Sequence, residues 1–106
     1  MNFEIEQFNK LFENRIRLVV MSVLITRNGV DFKTLKELLN LSDGNLVSHI
    51  AMLESAGYIE ITKCFLGKKT QTTYTPTPKG MAAFAEHLAA LQKFLRANAK
   101  TTRAKS

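Results

Sequence analysis

The sequence carries a single cysteine, Cys64. That excludes an internal disulfide and any metal site built on a Cys pair, and it leaves Cys64 as a packed or strand residue, with redox sensing as the lesser alternative. Long apolar runs are also missing. The longest, "LVVMSVLI" at 18–25, falls far short of the roughly 20 residues a bilayer span needs, so it reads as a buried helix segment and no membrane partner is expected. The start, "MNFEIEQFNK", has neither a basic lead nor a small-residue cleavage site; with no export signal, a cytoplasmic location is expected. Catalytic constellations are absent too. The two histidines, His49 and His87, lie far apart. No Gly-rich phosphate loop follows a strand, and no paired carboxylates flank a nucleophile. The pattern argues against an enzyme, a metal site or a cofactor.

One further scarcity is local. From residue 42 to 57 there is no Lys or Arg, and the formal charges are Asp43 and Glu54. Cations concentrate later. Through Glu60 six Lys/Arg face eight Asp/Glu, a net of −2; from Ile61 onward nine Lys/Arg face Glu86 alone, a net of +8. A slightly acidic front joined to a strongly basic back points to a polyanionic partner, with nucleic acid foremost.

The 106 residues make one domain, at 45% hydrophobic content enough for an ordinary core. Phe3, Ile5, Phe8, Leu11, Phe12, Ile16, Val19, Val20, Val23 and Leu24 recur at helical spacing and predict a long first helix to about Arg27, with an interruption near Asn14 and Gly29 as its left-handed cap. "VDF" at 30–32 is a short strand or a turn. Leu35, Leu38 and Leu39 mark a short second helix, and Leu46, Ile50 and Leu53 a third that Gly57 ends. "YIEITKCFL" alternates as a strand, "GKKTQ" reads as a charged loop, and "TTYTPT" as a second strand cut short by Pro76. Thr77 and Pro78 open a last helix running to about Asn98. Residues 1–98 therefore read as one domain that includes terminal dimerisation helices, and 99–106 as a disordered basic tail. Two short helices joined by a tight turn, then a hairpin with a charged tip, make a winged helix-turn-helix: mainly α, with a small β-hairpin and long N- and C-terminal helices.

The stretch "LSDGNLVSHIAMLESAGYIEITKCFLGKKTQTTYTPTPKGMAAF" resembles the winged-helix regulators of the MarR/ArsR/PadR kind, most closely a compact group of single-domain winged-helix transcription factors. The resemblance rests on "DGNL", the His–hydrophobic pair, "LE..GY", a "GKK" wing, "TTY" and "T..G..AF" in this order, over about residues 15–95. Thr75 and Met81 depart from it: that group favours an apolar residue at the first and a basic one at the second, so a contact made by a basic side chain at 81 is lost here.

With Leu46, Ile50 and Leu53 turned to the core, the third helix presents Gly44, Asn45, Ser48 and His49 to a major groove. Asn45 could instead cap or face solvent, His49 could sit half-buried beside Leu53, and Met52 reads as packing. Ser42 and Asp43 are the cap candidates, and the helix start with Ser42 suits a phosphate. No Arg–guanine contact is available, so modest discrimination per base or reliance on DNA shape is expected. Lys68 and Lys69 at the wing tip, Lys63 at its base, Lys79 at the start of the last helix, and Lys33 and Lys36 on the second helix are the phosphate-contact candidates. Met81, Phe84, Leu88, Leu91 and Leu95 form a seam that, with Phe8 and Phe12, predicts a homodimer; the alternative is that the first and last helices cover each other in a monomer. The sequence-level expectation is a transcriptional regulator binding double-stranded DNA as a homodimer, with a winged-helix protein-interaction module as the alternative. It names neither an operator nor an effector.

Overall fold

The computed structural model describes residues 8–105, with side chains described from Phe8 to Ala97. A 3-10 turn, Lys10–Glu13, precedes α1 (Arg15–Arg27), β1 (Val30–Asp31), α2 (Phe32–Leu39), α3 (Asp43–Ser55), β2 (Ile59–Leu66), β3 (Lys69–Pro76) and α4 (Pro78–Lys105). The sheet is antiparallel with the order β1-β3-β2. Winged helix-turn-helix is the observed fold. Phe3 and Ile5, the outer end of the expected first helix, lie outside the described residues.

Each helix boundary has a local cause. Asn14 breaks the first apolar stretch because its side-chain oxygen accepts from the amides of Ile16 (2.9 Å) and Arg17 (3.2 Å), which caps α1 at its start. The left-handed cap that ends α1 is Asn28 (φ 56°), one residue before the Gly29 expected from the sequence, and Asn40 does the same for α2. Asn reaches this region more readily than most residues because its short polar side chain bonds locally. Asp31 caps α2 through the amide and hydroxyl of Thr34; the Thr34 hydroxyl, bonded to the carboxylate, holds the Asp31 pKa below the ordinary value. Ser42, rather than Asp43, caps α3, its hydroxyl accepting from Asn45 N–H at 3.3 Å. Thr77 caps α4: its hydroxyl accepts from Gly80 N–H at 3.0 Å. Past residue 80 the sequence holds no Gly or Pro, and α4 continues beyond the stop expected near Asn98 to Lys105.

One core unites these pieces. Phe12, Val20, Met21 and Leu24 meet Leu35 of α2, Leu46, Ile50 and Leu53 of α3, and Val30, Ile59 and Tyr74 of the sheet. Two-residue β1 is long enough to pair Val30 with Tyr74 and Asp31 with Thr73, which ties the wing to the helices. The wing itself is tighter than the expected loop. Leu66 pairs with Lys69, leaving Gly67 and Lys68 as a two-residue turn. Gly67, at φ 67°, supplies the positive φ that the first position of a type II′ hairpin turn requires.

The two glycines on α3 and α4 predict opposite outcomes. A Cβ on Gly80 would overlap the Tyr58 carbonyl oxygen and lie 2.7 Å from Met21 Cε, whereas one on Gly44 meets open space. Gly80→Ala should cost roughly 1–3 kcal/mol, as overpacking does, and lower the melting temperature by several degrees. Gly44→Ala should leave it unchanged or slightly higher. Thermal unfolding of the two variants checks both.

Candidate nucleic-acid interface

Burial of Leu46, Ile50 and Leu53 orients α3. The faces away from that stripe present Gly44, Asn45, Ser48, Ala51 and Met52, all exposed, with Val47 on one flank and His49 half-buried on the other. Gly44, Asn45 and Ser48 thus stand open at the start of the helix, as the sequence predicts. Ala51 and Val47 (52% exposed) were missed, because alternating small and apolar residues resemble core. Both could offer apolar contact to a thymine methyl group.

His49 has a partner that the sequence does not reveal. The guanidinium of Arg17, on α1, reaches across with Nη1 3.2 Å from His49 Nδ1 and 3.2 Å from Met52 Sδ, while its Nε donates to the Leu11 carbonyl at 2.8 Å. Burial first, and then the Arg17 charge, push the His49 pKa below its ordinary value. Both effects favour the neutral ring. The link spans thirty-two residues of sequence, and within the apolar helical pattern around it Arg17 carried no signal.

The cations divide into free and engaged. Lys68 is exposed in the turn, Lys69 and Lys63 are exposed on the wing strands, and Lys33 is exposed on the first turn of α2. Lys36 is not free: its Nζ lies 2.5 Å from Asp43 Oδ1. That pair joins α2 to the first turn of α3 and sets the Asp43 charge against that of Lys36. Lys79 sits with Nζ 6.0 Å from the centre of the Tyr58 ring, and its stem runs past Gly57, so it braces the junction below the wing. Ser42 spends its hydroxyl on the α3 cap. The wing also carries apolar side chains that its sequence pattern placed on a strand without showing them open: Phe65 is 80% and Leu66 61% exposed. Cys64 is exposed on β2.

The expected dimer seam separates into two parts. Phe12 is 2% exposed and belongs to the core of one chain. Phe84 packs edge-on against it at 5.5 Å between ring centres, and Phe8 lies 5.6 Å from the His87 ring. Phe12 and Phe8 both meet the His87 ring and Phe12 meets Phe84 within the chain, because the turn at 10–13 lays Phe12 against α4. His87 is buried there, its Nδ1 accepting from Asn9 N–H at 3.0 Å. Met81, Leu88, Leu91 and Leu95 remain exposed along α4.

Two open hollows flank these elements. One, of about 490 Å³, lies between the start of α2 and the wing, among Phe32, Lys33, Lys69 and Tyr74. The other, of about 290 Å³, is lined by Arg15, Ile16, Val19, Leu39 and Leu41. Among the described residues no group of three or more potential ligands could hold a metal, and no helix is long and apolar enough to cross a membrane.

Comparison with known proteins agrees with this geometry. An uncharacterised protein of Methanocaldococcus jannaschii is 34% identical over 79 residues, covering 74% of this chain and 86% of that protein. A transcriptional regulator homologue from Pyrococcus horikoshii superposes with a TM-score of 0.76 at 29% identity, over 82% of this chain and 86% of its own. A mutant MarR of E. coli, in complex with operator DNA, shares the fold with a TM-score of 0.66 at 19% identity, over 76% of this chain and 56% of its own. A family model described as winged helix DNA-binding domain matches residues 16–95, so the chain belongs to that family and is a DNA-binding protein of the regulator type, not an enzyme.

Proposed function

We propose that the protein is a sequence-selective transcriptional regulator that binds duplex DNA as a homodimer in the cytoplasm, with α3 in the major groove and the wing on the adjacent minor groove and its phosphates. The observation that carries this reading is a separation of charge. The outward face of α3 holds Gly44, Asn45, Ser48 and Ala51 and no formal charge, while Lys63, Lys68 and Lys69 are all exposed along the wing. A neutral helix face can enter a groove and hydrogen-bond to base edges, Asn45 matching the donor–acceptor pair of adenine. Lysines on phosphates supply the attraction that carries no sequence information. Lys33 extends this grip to α2.

The dimer is supported by the exposed stripe on α4. Met81, Leu88 and Leu95 are seven residues apart, with Leu91 between them, and that repeat suits helix-on-helix packing. Two-fold symmetry would set two α3 helices about one DNA turn apart on a near-palindromic site. A protein-interaction module is the second reading, favoured by exposed Phe65 and Leu66 on the wing.

Binding measured over a range of salt separates the roles. Lys68→Ala/Lys69→Ala should weaken binding to all duplexes alike and flatten the slope of log K against log salt by roughly 1.8 per protomer, at about 0.9 per phosphate contact. Asn45→Ala should leave the slope alone and reduce the preference for a selected site over random DNA by about 1–3 kcal/mol. An unchanged slope in the lysine variant would favour the protein-interaction reading.

Gly44→Ala, which the open space around Gly44 predicts to fold normally, should nonetheless weaken binding, because a methyl group would stand between the helix start and a phosphate. Sedimentation should show a dimer of the 11.9 kDa chain at micromolar concentration. Leu88→Lys should dissociate it by tenfold or more, since burying an unpaired charge costs more than about 1.4 kcal/mol.

A further inference from the structure

His49 bears a ring whose hydrogen-bonding sense is decided by its neighbour. A neutral imidazole carries one N–H and one acceptor nitrogen, and which is which follows from its partner. Arginine has five donors and no acceptor. With Arg17 Nη1 3.2 Å from His49 Nδ1, Nδ1 must present its lone pair and the proton must sit on Nε2. The guanidinium is itself held in place. Its Nε donates to Leu11 O, its Nη1 also faces Met52 Sδ, and the Arg17 backbone amide is fixed by the Asn14 cap.

The free end of the ring faces outward. Nε2 makes no hydrogen bond to any described residue, yet no buried side-chain nitrogen or oxygen lacks a partner. Nε2 therefore meets solvent, on the helix that also carries Asn45 and Ser48. Of the charged groups around the ring, Arg17 faces it from α1, the turn at 10–13 presents the uncharged Leu11 carbonyl, and Glu54 lies on the opposite flank of α3.

We infer that Arg17 is a positioning residue for DNA recognition: by donating to His49 Nδ1 it locks the Nε2–H tautomer and aims that N–H, as a hydrogen-bond donor, from α3 at an acceptor on DNA. The inference rests on the proposed placement of α3 against DNA and adds what sets the donor. The acceptor is a guanine N7 or a phosphate oxygen. Either way His49 accepts nothing through Nε2, so it discriminates against donor edges such as the cytosine amino group. Arg17 thus shapes recognition through a second side chain.

The test begins on the free protein. Long-range proton–nitrogen NMR of the His49 imidazole should show Nε2 protonated and Nδ1 bare at neutral pH; Arg17→Ala and Arg17→Lys should both yield a mixture of tautomers, since Lys keeps the charge and loses the fork. On a selected duplex, Arg17→Ala and His49→Ala should each weaken binding by about tenfold, the size of one good hydrogen bond to a charged or well-aligned partner. The double variant should lose no more than His49→Ala. His49→Gln, whose amide nitrogen can stand where Nε2 stands, should retain most of the affinity, and His49→Asn should not. Circular dichroism confirms that each variant folds, and the Gln rescue reads the donor where an Ala variant does not. Duplexes with 7-deazaguanine or with methylphosphonate linkages identify the acceptor by the one substitution that erases the effect of His49→Gln against His49→Ala.

An Nδ1–H ring in the wild type, or losses from Arg17→Ala and His49→Ala that add, would overturn the inference while leaving the DNA-binding function intact. A wild-type protein that binds no duplex would overturn the proposed placement of α3 along with it.

Discussion

Everything at the surface of this protein depends on one constraint: Leu46, Ile50 and Leu53 of α3 must be inside. Each would forfeit roughly 1.5–3 kcal/mol if exposed. The core that receives them is built from α1, α2 and the sheet together, so the helix cannot roll without breaking contacts on every side. Because a helix has fixed periodicity, burying that stripe decides which residues stand outside. The neutral outer face of α3 is a consequence of its apolar underside. The turn between α2 and α3 is pinned in the same way, by the Ser42 cap and by the Lys36–Asp43 pair.

The electrostatic arrangement follows from that geometry. A helix that enters a groove gains selectivity from polar, neutral side chains, and long cations on its face would bind any phosphate within reach. Here the cations sit on the wing and on α2, and Lys36, beside the first turn of α3, is paired with Asp43. Arg17 is the exception that adds shape rather than grip. Its fork is occupied by Leu11, Met52 and His49, so its charge adds to the larger effect of burial in lowering the His49 pKa, and its donors order that ring.

Much of this was legible in the sequence, for physical reasons. Strict spacing of Leu46, Ile50 and Leu53 shows α3 and its faces, alternation shows β2, and "T..G..AF" has a structural meaning that its letters do not state. Thr77 caps α4, Gly80 lets α4 rest on the Tyr58 carbonyl, and Phe84 meets Phe12. What was not legible is contact between distant residues. Periodicity registers that Phe8, Phe12 and Phe84 are apolar; whether they face a second chain or each other depends on how the turn at 10–13 packs on α4. The same holds for His87, drawn into that cluster by Asn9, and for Arg17, whose partners lie on the 3-10 turn and on α3. Pairing of Lys36 with Asp43 required the α2–α3 turn to be closed in three dimensions.

In the proposed complex the first turn of α3 and the wing tip meet DNA at the same time, as the reading and holding parts of one surface. Titration of isotope-labelled protein with a selected duplex, followed amide by amide in NMR spectra, tests this most directly. It predicts that Gly44, Asn45 and Ser48 shift together with Gly67, Lys68 and Lys69 at a single stoichiometry, while the exposed stripe of α4 stays unchanged. Shifts confined to α4, or an α3 start that stays silent while the wing responds, would contradict it.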